Sequence, residues 1–175
     1  MLRTRKVSRP LEVGDAEALA ALRVANRDFM SPFDPERPAS FFTRDGQRDV
    51  IHAAIARREA DVQYVYAILD DGALAGTISI SNVVRGAFQS ANVGYWVDQA
   101  RNGRGLATTA VGAVVEVAFG ELGLHRLEAG TLLDNLASQR VLEKNRFRRF
   151  GVAPNYLFIS GRWQDHVLFQ RTAED

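Results

Sequence analysis

Gly94-Tyr95-Trp96-Val97-Asp98-Gln99-Ala100-Arg101-Asn102-Gly103-Arg104-Gly105-Leu106-Ala107-Thr108-Thr109 decides how the rest of the chain is read. It has the pattern of a strand, a short basic loop with Gly103 and Gly105, and the opening of a long helix. Glycines at a helix entrance let the backbone approach a ligand closely, and the first N–H groups of a helix have no internal partners. The helix dipole adds partial positive charge there, so the loop suits an anion, above all a phosphate.

Downstream, Val111, Val114, Val115, Ala118 and Leu122 recur at helical spacing, and Gly120 and Gly123 mark the end of that helix. Upstream the period changes from helix to strand. Val62 to Leu69 is rich in valine, tyrosine and isoleucine, Asp70-Asp71-Gly72 is a turn signal, and Leu74 to Ser81 is the partner strand. Thr77, Ser79 and Ser81 alternate with Ile78 and Ile80, and Ala91 to Val97 supplies a third antiparallel strand. That meander decides against a dinucleotide-binding fold, which needs alternating βαβ units. A P-loop is excluded because Gly105 is followed by Leu106, and the loop has no lysine to reach phosphates.

Arg126 to Leu132 is expected to be a strand, Asp134-Asn135 to precede a short helix from Leu136 to Lys144, and Arg148–Ile159 with Trp163–Arg171 to close a hairpin around Ser160-Gly161. At the other end, Val7 to Val13 reads as a strand, and Asp15 as the N-cap of a helix from Ala16 to Arg27. Asn26 to Pro38, with three prolines, reads as an extended, aromatic-bearing loop, a connector or a substrate-facing lid. A second helix is expected from Arg44 to Arg58, with Val50, Ile51, Ala54 and Ile55 inward and His52 at or near the surface. The whole reads as one mixed α/β domain over residues 1–175.

The 175 residues, 46% hydrophobic and 25% charged, suffice for one substantial core. A net charge of +1 gives no reason to expect nucleic acid or an acidic membrane as partner. Arg3, Arg5, Lys6 and Arg9 read as a solvated arm. No apolar run is long enough to span a bilayer, so a cytoplasmic protein is expected. The absence of cysteine removes disulfides, thiolate metal ligands and a cysteine nucleophile. His125 and His166 lack metal-ligand spacing and read as structural; no metal is expected.

Asn102-Gly103-Arg104-Gly105-Leu106-Ala107 resembles motif A of the GNAT acetyltransferases, Gln/Arg-x-x-Gly-x-Gly/Ala, with Asn102 at its first position. Asn135-Leu136-Ala137-Ser138, followed by Leu142 and Arg146-Phe147, is similar to the family's Asn-x-x-Ser-x-x-x-Leu-x-x-x-Gly-Phe segment, with Arg146 for glycine. The ending from Asn155 to Leu168, Asn26-Arg27-Asp28-Phe29 and Ser81-Asn82-Val83-Val84-Arg85-Gly86 resemble the RimJ/RimL branch, nearest RimJ. The resemblance implies a mixed, mostly antiparallel sheet of about seven strands flanked by about four helices. It also implies an acetyl-CoA-dependent N-acetyltransferase acting on a primary amine, most often a protein N-terminal α-amine such as that of a ribosomal protein. A small-amine or antibiotic acetyltransferase and a non-catalytic acyl-CoA-binding module are the alternatives, and a monomer or homodimer fits any of them.

The resemblance assigns coenzyme A to Val97, Asn102, Gly103, Gly105, Leu106, Ala107, Thr108, Asn135 and Ser138; charge complementarity adds Arg101 and Arg104, which otherwise only solvate the loop. The resemblance implies a bulge at Gly94 to Asp98 that frees the Val97 backbone N–H for the thioester carbonyl. Ser138 matches a proposed general acid, and Asn135 a cofactor-contacting asparagine that also suits a helix N-cap. A glutamate base of some relatives has no counterpart at Asn155-Tyr156-Leu157. Asn26, Phe29, Phe33, Ser81, Asn82, Arg85, Tyr95 and Tyr156 are the acceptor-side candidates. Without cysteine, direct attack in a ternary complex is expected.

Overall fold

The strand period of the central segment places Ile78 and Ile80 on one face of a sheet and Thr77 and Ser79 on the other. In the computed structural model, which describes residues 8–175, Ile78 and Ile80 are fully buried. Val7 and the arm residues Arg3, Arg5 and Lys6 lie outside the described residues. The sheet has the order β1-β2-β3-β4-β5-β7-β6. Its strands are β1 (Ser8–Pro10), β2 (Gln63–Asp70), β3 (Ala73–Val84), β4 (Ser90–Val97), β5 (Arg126–Leu132), β6 (Arg148–Ile159) and β7 (Arg162–Thr172). Every neighbouring pair is antiparallel except β4–β5. The β2–β3 turn is the two-residue Asp71-Gly72, both at positive φ, as a tight hairpin requires.

The helices are α1 (Ala16–Ala25), α2 (Arg27–Met30), α3 (Arg44–Glu59), α4 (Leu106–Glu116) and α5 (Leu136–Lys144). Helix α4 buries Val111, Val114 and Val115 against Ile78, Ile80 and Val93, and continues through a π turn that buries Ala118. At roughly 1.5–3 kcal/mol for each fully buried valine, this one helix face is a large part of that core. On the opposite side of the sheet, Leu19 of α1 and Ile51 of α3 pack with Ala67 and Trp96. Among the described residues, no helix is long and apolar enough to cross a membrane.

The N-terminal expectations need correction. Strand β1 stops at Pro10, and residues 13–15 form a 3₁₀ turn. Asp15 does not cap α1: its carboxylate accepts two hydrogen bonds from Arg9 and one from the Glu12 N–H. That fork holds the Asp15 carboxyl below its usual range, and it makes Arg9 part of a part-buried ion pair rather than a solvated arm. Helix α1 ends at Ala25, and the proline-bearing segment opens with the single turn α2, since its first proline comes only at Pro32. Val50 points outward, at 41% exposure.

Candidate active site

Strands β4 and β5 pair only at Ser90–Arg126, Ala91–Leu127 and Asn92–Glu128, then part. Parallel strands joined through a long helix need not stay paired to their ends, and here the gap becomes a site. A cavity of about 150 Å³ lies between Val93, Gly94 and Tyr95 on one wall and Ala129, Gly130, Thr131 and Leu132 on the other.

The expected bulge at Gly94 to Asp98 is absent. Register with β3 runs unbroken from Gly76–Val97 to Ser81–Asn92, and the irregularity falls between Ser81 and Val84. The Val97 N–H is directed by a different device. The Asp98 N–H donates to the Ala75 carbonyl at 2.7 Å, which makes Gly76–Val97 a non-hydrogen-bonded pair. The backbone groups of Val97 and Tyr95 therefore face away from β3, toward the gap. Gly76 allows the close approach: a Cβ there would lie 2.1 Å from the Trp96 carbonyl oxygen.

On the α4 side of the gap, a cleft of about 310 Å³ is lined by Val97, Arg101, Asn102, Gly103, Gly105, Leu106, Ala107 and Thr108, and by Ala137, Arg140, Val141 and Lys144 of α5. Gly103 and Gly105 sit at φ 79° and 78°, and neither would meet a neighbour if given a Cβ. Their conformation is left-handed, while the space before them is open. Asp98 caps the turn before them by accepting from the Ala100 N–H. Arg104 pairs with Asp70 at 2.9 Å, and Arg101 lies 3.5 Å from Asp98. Carboxylates thus hold both arginines; Arg101 lines the cleft, whereas Arg104, expected there, does not. Arg140 and Lys144, one turn apart on α5, add cationic groups that reading the loop alone did not supply. Their i, i+4 spacing on one helix face was the available signal.

Helix α5 is capped by Asn135, whose side-chain oxygen accepts from the Ser138 N–H at 3.1 Å. The Ser138 hydroxyl stands 2.8 Å from the Tyr95 hydroxyl. Burial pushes the Tyr95 phenol up to about 12, despite the opposing hydrogen bond with Ser138. Asn145 closes the helix by donating to the carbonyls of Val141 and Thr108, which ties α5 to α4 across the cleft. Arg146 takes the left-handed conformation expected of the glycine it replaces, at φ 62°.

The gap also holds His166, read from the sequence as structural, and Thr131, which the sequence did not single out. His166 is 3% exposed, and its Nδ1 lies 3.0 Å from the Gln164 carbonyl oxygen. A carbonyl only accepts, so Nδ1 carries a proton, and in the neutral ring Nε2 is the acceptor. The Thr131 hydroxyl is buried without a hydrogen-bond partner. An orphaned hydroxyl on the wall of a cavity fits a bound ligand with polar groups.

On the α1–α3 side, a groove of about 600 Å³ runs past Gly94, Tyr95 and Trp96 to Arg23, Asp34, Arg37 and Arg57. Phe33 lines the gap and packs against Phe29, with ring centroids 6.1 Å apart. Tyr156 packs on the His166 ring at 5.4 Å. These candidates converge with Tyr95, but four others do not. Asn26 is buried, with its amide spent on Leu22, Asp98 and the Gln99 N–H, so it is a strut between α1 and the glycine loop. Ser81 lies five residues along β3 from Gly76, the partner of Val97, a separation of roughly 17 Å. Next to it, Asn82 bonds to Asn92, and Arg85 forks onto Asp61 and donates to the Leu122 carbonyl. Ser81, Asn82 and Arg85 therefore lie at the end where β4 and β5 are still paired, far from Val97.

Known proteins resemble the chain in both sequence and fold. The family described as acetyltransferase (GNAT) domain matches residues 5–148. A probable N-acetyltransferase of Bacillus subtilis is 46% identical over 91% of this chain and 90% of its own length. The ribosomal protein uS5-alanine N-acetyltransferase of Escherichia coli is 30% identical over 98% of this chain and 89% of its own. The structure of Mycobacterium smegmatis RimJ in complex with CoA-disulfide superposes with a TM-score of 0.92 at 32% identity, covering 95% of this chain and 81% of that one.

Proposed function

The chain belongs to the GNAT acetyltransferase family, and from that premise we propose that it moves an acetyl group from acetyl-CoA to the α-amine of a protein N-terminus, as in a ribosomal protein. The observation that carries the reading is the parting of β4 from β5. It leaves a passage with a cationic, glycine-lined cleft on one side and an open groove on the other.

Acetyl-CoA supplies an acyl carbon already activated as a thioester. The work left to the chain is to bind, align and move protons. The N–H groups from Gly103 to Thr108 would hold the pyrophosphate, with Arg140 and Lys144 facing it, the Asn102 N–H being spent on the Gln99 carbonyl; the open space before Gly103 and Gly105 supports this. The Thr131 hydroxyl is a polar anchor deeper in the gap. The Val97 N–H donates to the acyl oxygen as negative charge builds there. As the C–N bond forms and the C–S bond breaks, the amine proton would pass to Nε2 of His166, and the Ser138 hydroxyl would give a proton to the departing sulfur. His166 would then release its proton to solvent and Ser138 would regain one from it, so that the net transfer is from amine to thiol. Tyr95, whose high pKa keeps the phenol protonated at any working pH, donates to the Ser138 carbonyl and holds the Ser138 hydroxyl in place by contact with it.

An α-amine suits this arrangement. Its reference pKa of about 7.7–8.0, against about 10.4 for lysine, leaves a usable neutral fraction without a strong carboxylate base. Thiol release from acetyl-CoA is measured with a panel of N-terminal peptides, lysine-containing peptides with blocked termini, and small amines. Release with free-terminus peptides, absent with blocked ones, is expected. Release with small amines alone would replace the acceptor, and binding of CoA without turnover on any amine would make the chain a binding module.

A further inference from the structure

The groove on the α1–α3 side carries more positive charge than its own carboxylates balance. Arg23, Arg37 and Arg57 line it, against Asp34 alone. Asp34 lies 3.5 Å from Arg23 and 3.7 Å from Arg37, too far to satisfy either by a good hydrogen bond. Arg23 is the most enclosed of the three, with its side chain 15% exposed, and its Nε is buried without a hydrogen-bond partner. Burial lowers its pKa to about 10; Asp34 raises it only in part, and Arg37 lowers it further.

These guanidiniums are also held in place. Arg23 lies over the Trp96 ring at 4.1 Å and near the Phe41 ring at 5.2 Å, and Arg37 lies over Phe41 at 4.9 Å. The Gln47 side chain donates to the Phe41 carbonyl and fixes that residue in turn. A guanidinium held flat presents a planar fork that matches a carboxylate, with little conformational entropy left to lose. Trp96 and Tyr95 point to opposite faces of the sheet, but Gly94 and Tyr95 line both this groove and the gap, so the cationic groove opens onto the gap past them.

We infer that the groove reads a carboxylate close to the reacting amine, so that the acceptor class is acidic: an N-terminus with Asp or Glu within its first few residues, or a small amino acid bearing a second carboxylate. This rests on the acceptor-side reading of the groove given above. Arg23 and Arg37 take the carboxylate between them, and Arg57 sets the sign of the field at the mouth.

The test compares peptides differing only by Glu→Gln or Asp→Asn at the second, third or fourth residue, alongside aspartate, glutamate and their amides. Thiol release is read for turnover. Calorimetry with the N-acetylated peptides in the presence of CoA is read for binding. The acidic member of at least one pair is expected to show kcat/KM about tenfold higher, chiefly through KM. That preference should weaken in 0.5 M salt and collapse in Arg37→Gln with Arg57→Gln, whose side chains are exposed enough for the fold to survive. Arg23→Gln should abolish it, provided its melting temperature shows a folded protein. Preference among peptides or among free amino acids separates the two sources of the carboxylate. Turnover with no acidic preference at any position overturns the inference but leaves the acetyltransferase intact. Binding of acidic peptides without thiol release has the opposite effect, and absence of both preference and selective binding sinks the inference outright.

Discussion

The two halves of the site are built from different materials. The cleft between α4 and α5 is made largely of backbone: N–H groups of a left-handed glycine turn, the Val97 amide, and helices fixed by Asn135 and Asn145. The groove between α1, α3 and the meander is made of side chains, with arginines laid on aromatic rings. Backbone sites tolerate most residue changes but fail when a required conformation is denied. Side-chain sites change what they recognise with every substitution. One half is therefore suited to a constant donor and the other to a variable acceptor.

Replacing Gly105 strikes the backbone half hardest. Gly105→Val meets no neighbour but must adopt φ near 78°, which a β-branched residue resists, and its side chain fills the approach to the helix entrance. CoA affinity by calorimetry is expected to fall at least about 100-fold; unchanged affinity would refute the assignment of the loop. Gly94→Val probes the boundary between the halves. A Cβ there would meet only the Ser79 hydroxyl at 3.7 Å, so the fold should tolerate it. Turnover should fall about 100-fold while CoA affinity stays within about threefold. If both terms held, the passage past Gly94 would not be the route of transfer.

Ser138→Ala leaves the helix cap intact, because Asn135 accepts through its own side chain. A drop of about 30–100-fold in kcat with little change in CoA affinity is the expected signature of a proton donor. Equal loss in both terms would make the hydroxyl a binding group. The mildest change is Tyr95→Phe. Tyr95 in the folded protein titrates near 12, above its usual 10. As pH rises above 10 the unfolded chain loses this proton while the folded one keeps it, so stability falls between 10 and 12. Denaturant midpoints in that window should decline more steeply in the wild type than in Tyr95→Phe, and identical slopes would mean the phenol is solvated.

How much was legible in the sequence follows the same division. Strand β5 and helix α5 were bounded to the residue, because period, turn residues and caps are local signals. Motif A and Asn135 were legible because glycine conformation and helix capping are local too. The acceptor side was not. Asn26, singled out as a binding residue, turned out to hold α1 to Gln99 and Asp98, more than seventy positions away. Arg85 was drawn from a stretch next to the right strand but at its wrong end, since alternation along β3 gives the face and not the distance from Val97. His166 offered no spacing to any partner; its tautomer is set by Gln164, and its place in the gap by the β5–β7 register that sets it opposite Leu132. Such contacts are properties of the folded sheet, and no short window contains them.

The parting of β4 from β5 also leaves a mark in the time domain. Amide protons of Gly94, Trp96 and Asp98 face β3 and are locked in its ladder, whereas those of Tyr95 and Val97 face the gap. In deuterium exchange of the free protein, fast and slow amides should therefore alternate residue by residue along a single strand. Occupancy of the gap should slow every second one and leave the others unmoved, a comb-like footprint that a uniformly stiffened sheet would not give.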